Sequence, residues 1–450
     1  MPLSGGATRR LGSVTGVAGT ALLAYQVARY KRATRDRLSL VDPPGPGSPE
    51  FSRLVGSMTG SVLSPANRVR VLRNGVTLES MLEAISGARQ TVDLSSYIYW
   101  PGETADRFGD ALVERARAGV EVNVLVDGYG SARLLHPQRR RLQRGGVNVA
   151  VFRPLRWYTL RKVNKRMHRR ILVVDGRIGF AGGVGIADVW SGDAQDPCHW
   201  RETHLRIEGP AVADLFAAFA ENWAESTGRV LAGPHLATFD QPVEPGEAGG
   251  LEGSAGARAR LGGTAAAAAS VQITRSTPTG GPTGSTLLFF AAIAGARRRL
   301  WLTTAYFVPD RFFERALCQA ARRGVDVRLL INGLQVDKEV VRKAGQRSYA
   351  RLLAAGIRIF EYDRTMLHAK VLIVDDVWAN VGSGNFDSRS FDLDLELNAA
   401  IEGPELVAEL EAHFTEDVQA AREITPEAWS ERPWWRRMTQ YATEAVRQSL

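Results

Sequence analysis

The sequence predicts an α/β fold: two tandem α/β sandwich domains from an internal duplication, with one shared site at their interface. Three observations predict it. Strand-like and helix-like segments alternate in the same order on both sides of a Gly-, Ala- and Pro-rich stretch at Gln241–Ala269. The two series match segment by segment, SGARQTVDLSSYIY with AGARRRLWLTTAYFV and RARAGVEVNVLVDG with AARRGVDVRLLING. An apolar strand carrying a histidine then occurs once in each series, at His168 and at His368.

The elements follow in order. Residues 1–60 read as a leader and linker. Leu11–Tyr30 is mildly apolar, lies between Arg9-Arg10 and Lys31-Arg32, and is broken by polar residues, which favours a membrane-apposed helix or weak anchor over a full span. The Pro, Gly and Ser of residues 33–60 read as linker. Residues 61–235 form the first domain: strand VRVLR, helix LESMLEAISGAR, strand TVDLSSYIY, helix ADRFGDALVERARAGV and strand EVNVLVDG. Residues 236–269 are the interdomain linker. The second domain, 270–425, repeats the series as VQITR, STLLFFAAIAGAR, RLWLTTAYFV, FFERALCQAARRGV and DVRLLING. Each half is expected to hold a buried, largely parallel sheet. Residues 426–450 form a tail in which Trp434 and Trp435 stand beside Arg436 and Arg437, a composition suited to a bilayer interface.

At 450 residues and 44% hydrophobic, the chain can build two cores. Its net charge of +9 points to acidic partners: phospholipid head groups, nucleic acid or phosphorylated small molecules. Cys198 and Cys318 are the only cysteines, which excludes a disulfide framework or a cysteine-rich zinc site and makes a reducing compartment the default.

Chemistry concentrates in MLHAKVLIVDDVWANVGSGNFDSRSF, Met366–Phe391. On a strand, His368 and Lys370 face the same way. Ser383 and Asn385 repeat that spacing on the next apolar segment, so imidazole, ammonium, hydroxyl and carboxamide converge as a phosphate site requires. RMHRRILVVDGRIGFAGGVG, Arg166–Gly185, is the second copy: His168, Arg170 and Asp175 match His368, Lys370 and Asp375. Asp375 closes its strand beside Asp376 and reads as more structural than chemical. Aligned on their common IEGP, Glu202 and Glu396 coincide, each a carboxylate able to take an imidazole Nδ1 proton. Two histidines and two cations around one phosphate suit nucleophilic attack by a neutral imidazole and protonation of the leaving alkoxide by the other. This chemistry requires no metal and no cofactor. His199 and His204 bracket Glu202 without a third ligand and read as polar packing; His136, His235 and His413 have no motif around them. RPLRWYTLRKVNKRMH, Arg153–His168, reads as a basic aromatic loop for anionic head groups.

The doubled pattern His-x-Lys-x-x-x-x-Asp followed by Gly-Ser-x-Asn resembles the phospholipase D superfamily. SSYIYWPGETADRFGDAL, WRETHLRIEGPAV, LHAKVLIVDD and GSGNFDSRSF are similar to bacterial cardiolipin synthases of that type, over roughly residues 60–425. The resemblance implies a phosphatidyl-histidine intermediate and the joining of two phosphatidylglycerols into cardiolipin and glycerol. It assigns His168 as nucleophile and His368 as acid. Arg170, Lys370, Ser383 and Asn385 become phosphate ligands, Glu202 and Glu396 orient the histidines, and Asp175 and Asp375 complete the catalytic set. The leader, the tail and the positive charge point to an anionic membrane surface as partner and to peripheral or weakly anchored association with the cytoplasmic membrane, and the apolar leader and Trp-rich tail speak against nucleic acid.

The first half departs from the pattern at Arg170, in place of lysine, and at Gly185, in place of asparagine. Loss of one preorganised donor costs about 3 kcal/mol of transition-state stabilisation unless replaced. Three alternatives therefore stand beside the synthase: a phospholipase D-type hydrolase, a nuclease or other phosphodiesterase, and a non-catalytic lipid-binding homologue.

Overall fold

The computed structural model describes residues 38–134, 136–154, 164–236, 266–278 and 281–432. The predicted membrane-apposed leader, the central part of the basic loop, nearly all of the interdomain linker and the Trp434-Trp435 tail lie outside them.

Strands of the first half are β1 (Leu63–Arg73), β2 (Thr91–Ser96), β3 (Glu121–Asp127), β4 (Asn148–Phe152), β5 (Ile171–Val174), β6 (Ile178–Gly182) and β7 (Thr203–Glu208). Those of the second are β8 (Ala267–Ser276), β9 (Arg299–Thr304), β10 (Phe307–Val308), β11 (Asp326–Asn332), β12 (Arg358–Tyr362), β13 (Val371–Val374), β14 (Trp378–Gly382), β15 (Phe386–Asp387), β16 (Glu396–Glu402) and β17 (Ala421–Ile424). Among the described residues, fifteen of these make one sheet in the order β4-β3-β2-β5-β6-β7-β1-β8-β16-β14-β13-β9-β11-β12-β17. The order reads the same from either end up to β17, as a duplication requires, and the halves join where β1 pairs antiparallel with β8.

Each half of the sheet is mixed, where the sequence pointed to a largely parallel one. Within this sheet, among the described residues, parallel pairing is confined to β2-β3-β4 and to β9-β11-β12, whose strands are linked through helices, while β10 and β15 pair parallel outside it. The β5-β6 and β13-β14 pairs are hairpins with three-residue connections, too short for the crossover a parallel pair needs.

One face of the sheet carries a single core running across both halves, with Leu205, Ile207, Val271, Leu397 and Ile401 under Phe216, Phe219, Leu410 and Phe414. Those four belong to the helices Val212–Thr227 and Pro404–Gln419. The opposite face carries a separate core in each half. Burial of this apolar surface at about 25 cal/mol per Å² is what welds the halves into one body.

Part of the expected linker is instead a helix, Pro49–Thr59. Ser48 caps it by accepting from the Phe51 amide at 3.1 Å, and Pro49 occupies its first turn. Phe51 is buried edge-to-face against Trp378 at 5.6 Å, and Ser52 donates to Glu402 at 2.6 Å. Residues 49–59 therefore belong to the core of the second half.

Candidate active site

Both histidine segments lie where the halves meet. The residue before each histidine is anchored by the end of the third repeat strand: Asp127 accepts from the Met167 amide at 3.0 Å, and Asn332 accepts from Leu367 at 2.7 Å. The segments then pair across the interface. Leu395 donates to Arg166 at 2.8 Å and receives from His168 at 2.9 Å, while Arg201 donates to Met366 at 2.9 Å and receives from His368 at 2.7 Å. Each histidine is thus laid beside the glutamate-bearing strand of the other half.

The side chains follow. His168 Nδ1 lies 3.0 Å from both oxygens of Glu396, and His368 Nδ1 bonds Glu202. Both carboxylates are fully buried. Arg170 donates to the His168 carbonyl at 3.2 Å and places Nη2 3.1 Å from His168 Nε2. A guanidinium can only donate, so Nε2 carries the lone pair and Nδ1 the proton that Glu396 takes. Lys370 donates to the His368 carbonyl and stands 3.9 Å from Glu202. The ring contacts of His368 are made through Nδ1, which also lies 2.8 Å from Lys370 Nζ.

Burial dominates the proton affinities. It pulls His168 down to about 4, with Arg170 adding to the effect and Glu396 opposing it. His368 falls well below the ordinary histidine range through burial and then Lys370. Lys370 is lowered to about 7 by burial against the pull of Glu202, and Glu202 is raised to about 7 by burial against the pull of Lys370. Both imidazoles are therefore neutral near pH 7.

A family model described as "Cardiolipin synthase, PLD-like domain" matches residues 81–223 and 289–418, the two segments that contribute these groups. The chain belongs to the phospholipase D-like cardiolipin synthase family. It is 34% identical over 394 residues to a cardiolipin synthase of Geobacillus kaustophilus, covering 87% of this chain and 74% of that protein. It is 32% identical over 368 residues to a probable cardiolipin synthase of Bacillus subtilis, covering 81% of this chain and 68% of that one. In three dimensions it matches the phosphatidylserine synthase of Haemophilus influenzae with a TM-score of 0.63 at 15% identity, covering 89% of this chain and 100% of that chain, a likeness of fold.

Within this phospholipase D-like frame, the predicted residues fall into two groups. His168, His368, Arg170, Lys370, Glu202, Glu396 and Ser383 come together, with the Ser383 hydroxyl donating to Glu396 and accepting from Leu397 N at 3.1 Å. Asn385 is buried beside them, with its Oδ1 unpaired among the described residues. Asp175 and Asp375 stand apart. Asp175 accepts from the amides of Arg89, Gln90 and Thr91 at 2.7–2.9 Å, and Asp375 from Arg297, Arg298 and Arg299 at 2.7–2.9 Å. Both carboxylates tie a hairpin turn to the start of the neighbouring strand, far along the strand from the histidines, and act on the chain.

The glycines at 183 and 185, which stand where Ser383 and Asn385 stand in the second half, are sterically enforced. A Cβ at Gly183, the position matching Ser383, would lie 2.3 Å from Glu202 Oε2. One at Gly185 would lie 2.8 Å from Trp190 and 3.1 Å from Ile98. Glu202 and Trp190 occupy the volumes that serine and asparagine side chains need. Trp190 and Trp200 pack against His368 at 5.4 Å, and Tyr97 packs edge-to-face on His168 at 4.9 Å. Tyr97 and Trp200 stand in the stretches SSYIYWPGETADRFGDAL and WRETHLRIEGPAV that carry the family resemblance, but no repeat or spacing singled these rings out as site residues. Asp127 and Asn332 were equally missed, although they align in VLVDG and LLING. Arg201 and Asp417 form a buried ion pair at 2.9 Å across the halves, and Arg201 also donates to the Glu202 carbonyl. This pair had no signal because Asp417 lies outside every repeated motif.

Among the described residues no helix is long and apolar enough to cross a membrane, and no group of three or more His, Cys, Asp or Glu could hold a metal ion.

Proposed function

We propose that this protein is a phospholipid-modifying phosphatidyltransferase that joins two phosphatidylglycerols into cardiolipin and glycerol. The observation that carries the reading is the crossed arrangement of the two imidazoles, each held at Nδ1 by the other half's carboxylate, with Arg170 and Lys370 alongside. His168, neutral with its lone pair on Nε2, attacks phosphorus. The bond from phosphorus to the head-group glycerol oxygen breaks, and that oxygen takes a proton from His368 Nε2. The anionic phosphodiester offsets Arg170 and Lys370 as it binds, so that His368 takes up this proton from solvent before the first step. In the second step the hydroxyl of another phosphatidylglycerol gives its proton to His368 and attacks phosphorus, releasing His168. Arg170, Lys370, Ser383 and Asn385 surround the phosphate in this reading, and the positive charges stabilise the transition state. Substrate is drawn from an anionic membrane surface by peripheral association, which the net charge of +9 favours.

Mass spectrometry of lipids after incubation with phosphatidylglycerol vesicles, beside His168→Ala and His368→Ala, tests this. Cardiolipin and glycerol from the parent alone support the transferase. Phosphatidic acid alone assigns water as the acceptor, and cleavage of a simple diester or single-stranded DNA without lipid product makes the protein another phosphodiesterase. Binding of anionic vesicles without turnover, unchanged in both variants, makes it a lipid-binding homologue.

A further inference from the structure

His204 has no role in the reading above. It lies on β7 two residues beyond Glu202 and is 1% exposed. Ile171 pairs with Ala181, and Gly182 pairs with His204. Arg170, Gly182 and His204 therefore form one row across three neighbouring strands, with side chains directed to the same face. The glycine leaves the middle of the row empty, and the imidazole leans into it: a Cβ at 182 would lie 2.5 Å from His204 Nδ1.

Hydrogen bonding decides which nitrogen carries the proton. Nδ1 accepts from the Val184 amide at 3.3 Å, so the proton is on Nε2. That Nε2–H is buried with no acceptor among the described residues, and so is the Nε–H of Arg170 in the same row. Buried donors are rarely left in this state unless a ligand or water completes them. In a guanidinium, Nε and Nη2 share the edge that takes two oxygens of a phosphate. Nη2 of this edge is already 3.1 Å from His168 Nε2. An oxyanion seated there abuts the nitrogen that attacks.

The second half lacks this opening. Asn398, opposite Gly382, donates to Ser285 at 2.9 Å and accepts from Asn380 at 3.2 Å. The row with unfilled donors thus belongs to the half in which Gly183 and Gly185 replace serine and asparagine.

We propose that the Nε2–H of His204 and the Nε, Nη2 edge of Arg170 form a phosphate-oxygen subsite in the first half, with the imidazole replacing the donor lost at Gly185. The inference rests on the phosphoryl-transfer reading of the site and adds a ligand to it. Titration calorimetry of the full chain with inorganic phosphate tests it, comparing the parent with His204→Phe and His204→Gln and following urea denaturation and the KM and kcat for phosphatidylglycerol in parallel. Loss of one donor to a charged oxygen is expected to weaken phosphate binding by about tenfold or more in His204→Phe, while His204→Gln, which keeps an N–H, stays within about threefold of the parent. Should His204→Phe fail to fold, His204→Asn takes its place: its carboxamide can accept from Val184 but falls short of the oxyanion, and the same loss is expected. Parent-like phosphate binding in these variants, or no phosphate binding by the parent, overturns the subsite. Binding that depends on His204 without any lipid turnover leaves the subsite standing and removes the transferase reading. Turnover with an unchanged KM and kcat in His204→Phe removes the subsite alone.

Discussion

Glu396 of the second half holds Nδ1 of His168 in the first half at 3.0 Å, and Glu202 of the first half holds His368 of the second in return. Neither half by itself holds both members of the His168–Glu396 pair or of the His368–Glu202 pair. Any chemistry these imidazoles perform depends on the interface that β1 and β8 close.

Glu396→Gln therefore reaches His168 from the other half. Glutamine keeps the size but not the charge that favours the Nδ1–H tautomer and balances the imidazolium. Turnover of phosphatidylglycerol is expected to fall about 10- to 100-fold with little change in fold. Steady-state kinetics with circular dichroism checks this; parent-like kcat would remove the orienting role.

Asp417 lies 3% exposed and pairs with Arg201, which is 2% exposed and whose carbonyl receives the His368 amide. Asp417→Ala leaves a buried guanidinium without its carboxylate and is expected to cost about 3–5 kcal/mol. Urea denaturation measures the loss, and turnover should fall in variants that still fold because the His368 segment loses its anchor.

Gly185→Asn restores the family residue, yet the structure predicts harm. The new side chain meets Trp190 at 2.8 Å from its first carbon, an overpacking expected to cost about 1–3 kcal/mol. A melting temperature equal to the parent's would show that Trp190 can yield.

Arg170→Lys keeps the charge and gives up the two-donor edge. Turnover is expected to stay within about tenfold, whereas Arg170→Ala should lose about 100- to 1,000-fold through removal of the charge beside phosphorus. Equal losses in both would mean that the fork, and not the charge, is required.

His168 also gives stability a pH dependence. Its folded-state value of about 4 lies below that of the unfolded chain, about 6.5, so the unfolded state binds more protons between these limits. The contribution is fully present above pH 6.5 and is lost as pH falls toward 4, about 3 kcal/mol in all. Glu202, raised to about 7, acts with the opposite sign over its own range, so the parent is compared with His168→Asn, in which only the histidine slope disappears. Parallel stability curves for the two proteins between pH 6.5 and 4 would contradict the assignment.

Much of this protein can be read in the chain. The duplication, the order of strands and helices, and the pairing of His168 with His368 and Glu202 with Glu396 follow from repeated local patterns, because alternation and spacing dictate which side chains share a strand face. The helix at Pro49–Thr59 was legible in its Ser48-Pro49 start but was masked by the Pro- and Gly-rich surroundings. Asp127 and Asn332 were legible by alignment of the repeats. Other features depend on distance through space. Which glutamate serves which histidine, the burial that moves Lys370 and Glu202 to about 7, and the Arg201–Asp417 pair arise only when the halves close on each other. Trp190 filling the volume beside Gly185, and the row that sets His204 opposite Arg170, depend likewise on strand neighbours far apart in sequence. Local pattern specifies faces and elements, whereas desolvation and steric exclusion act between elements and appear only in the packed molecule.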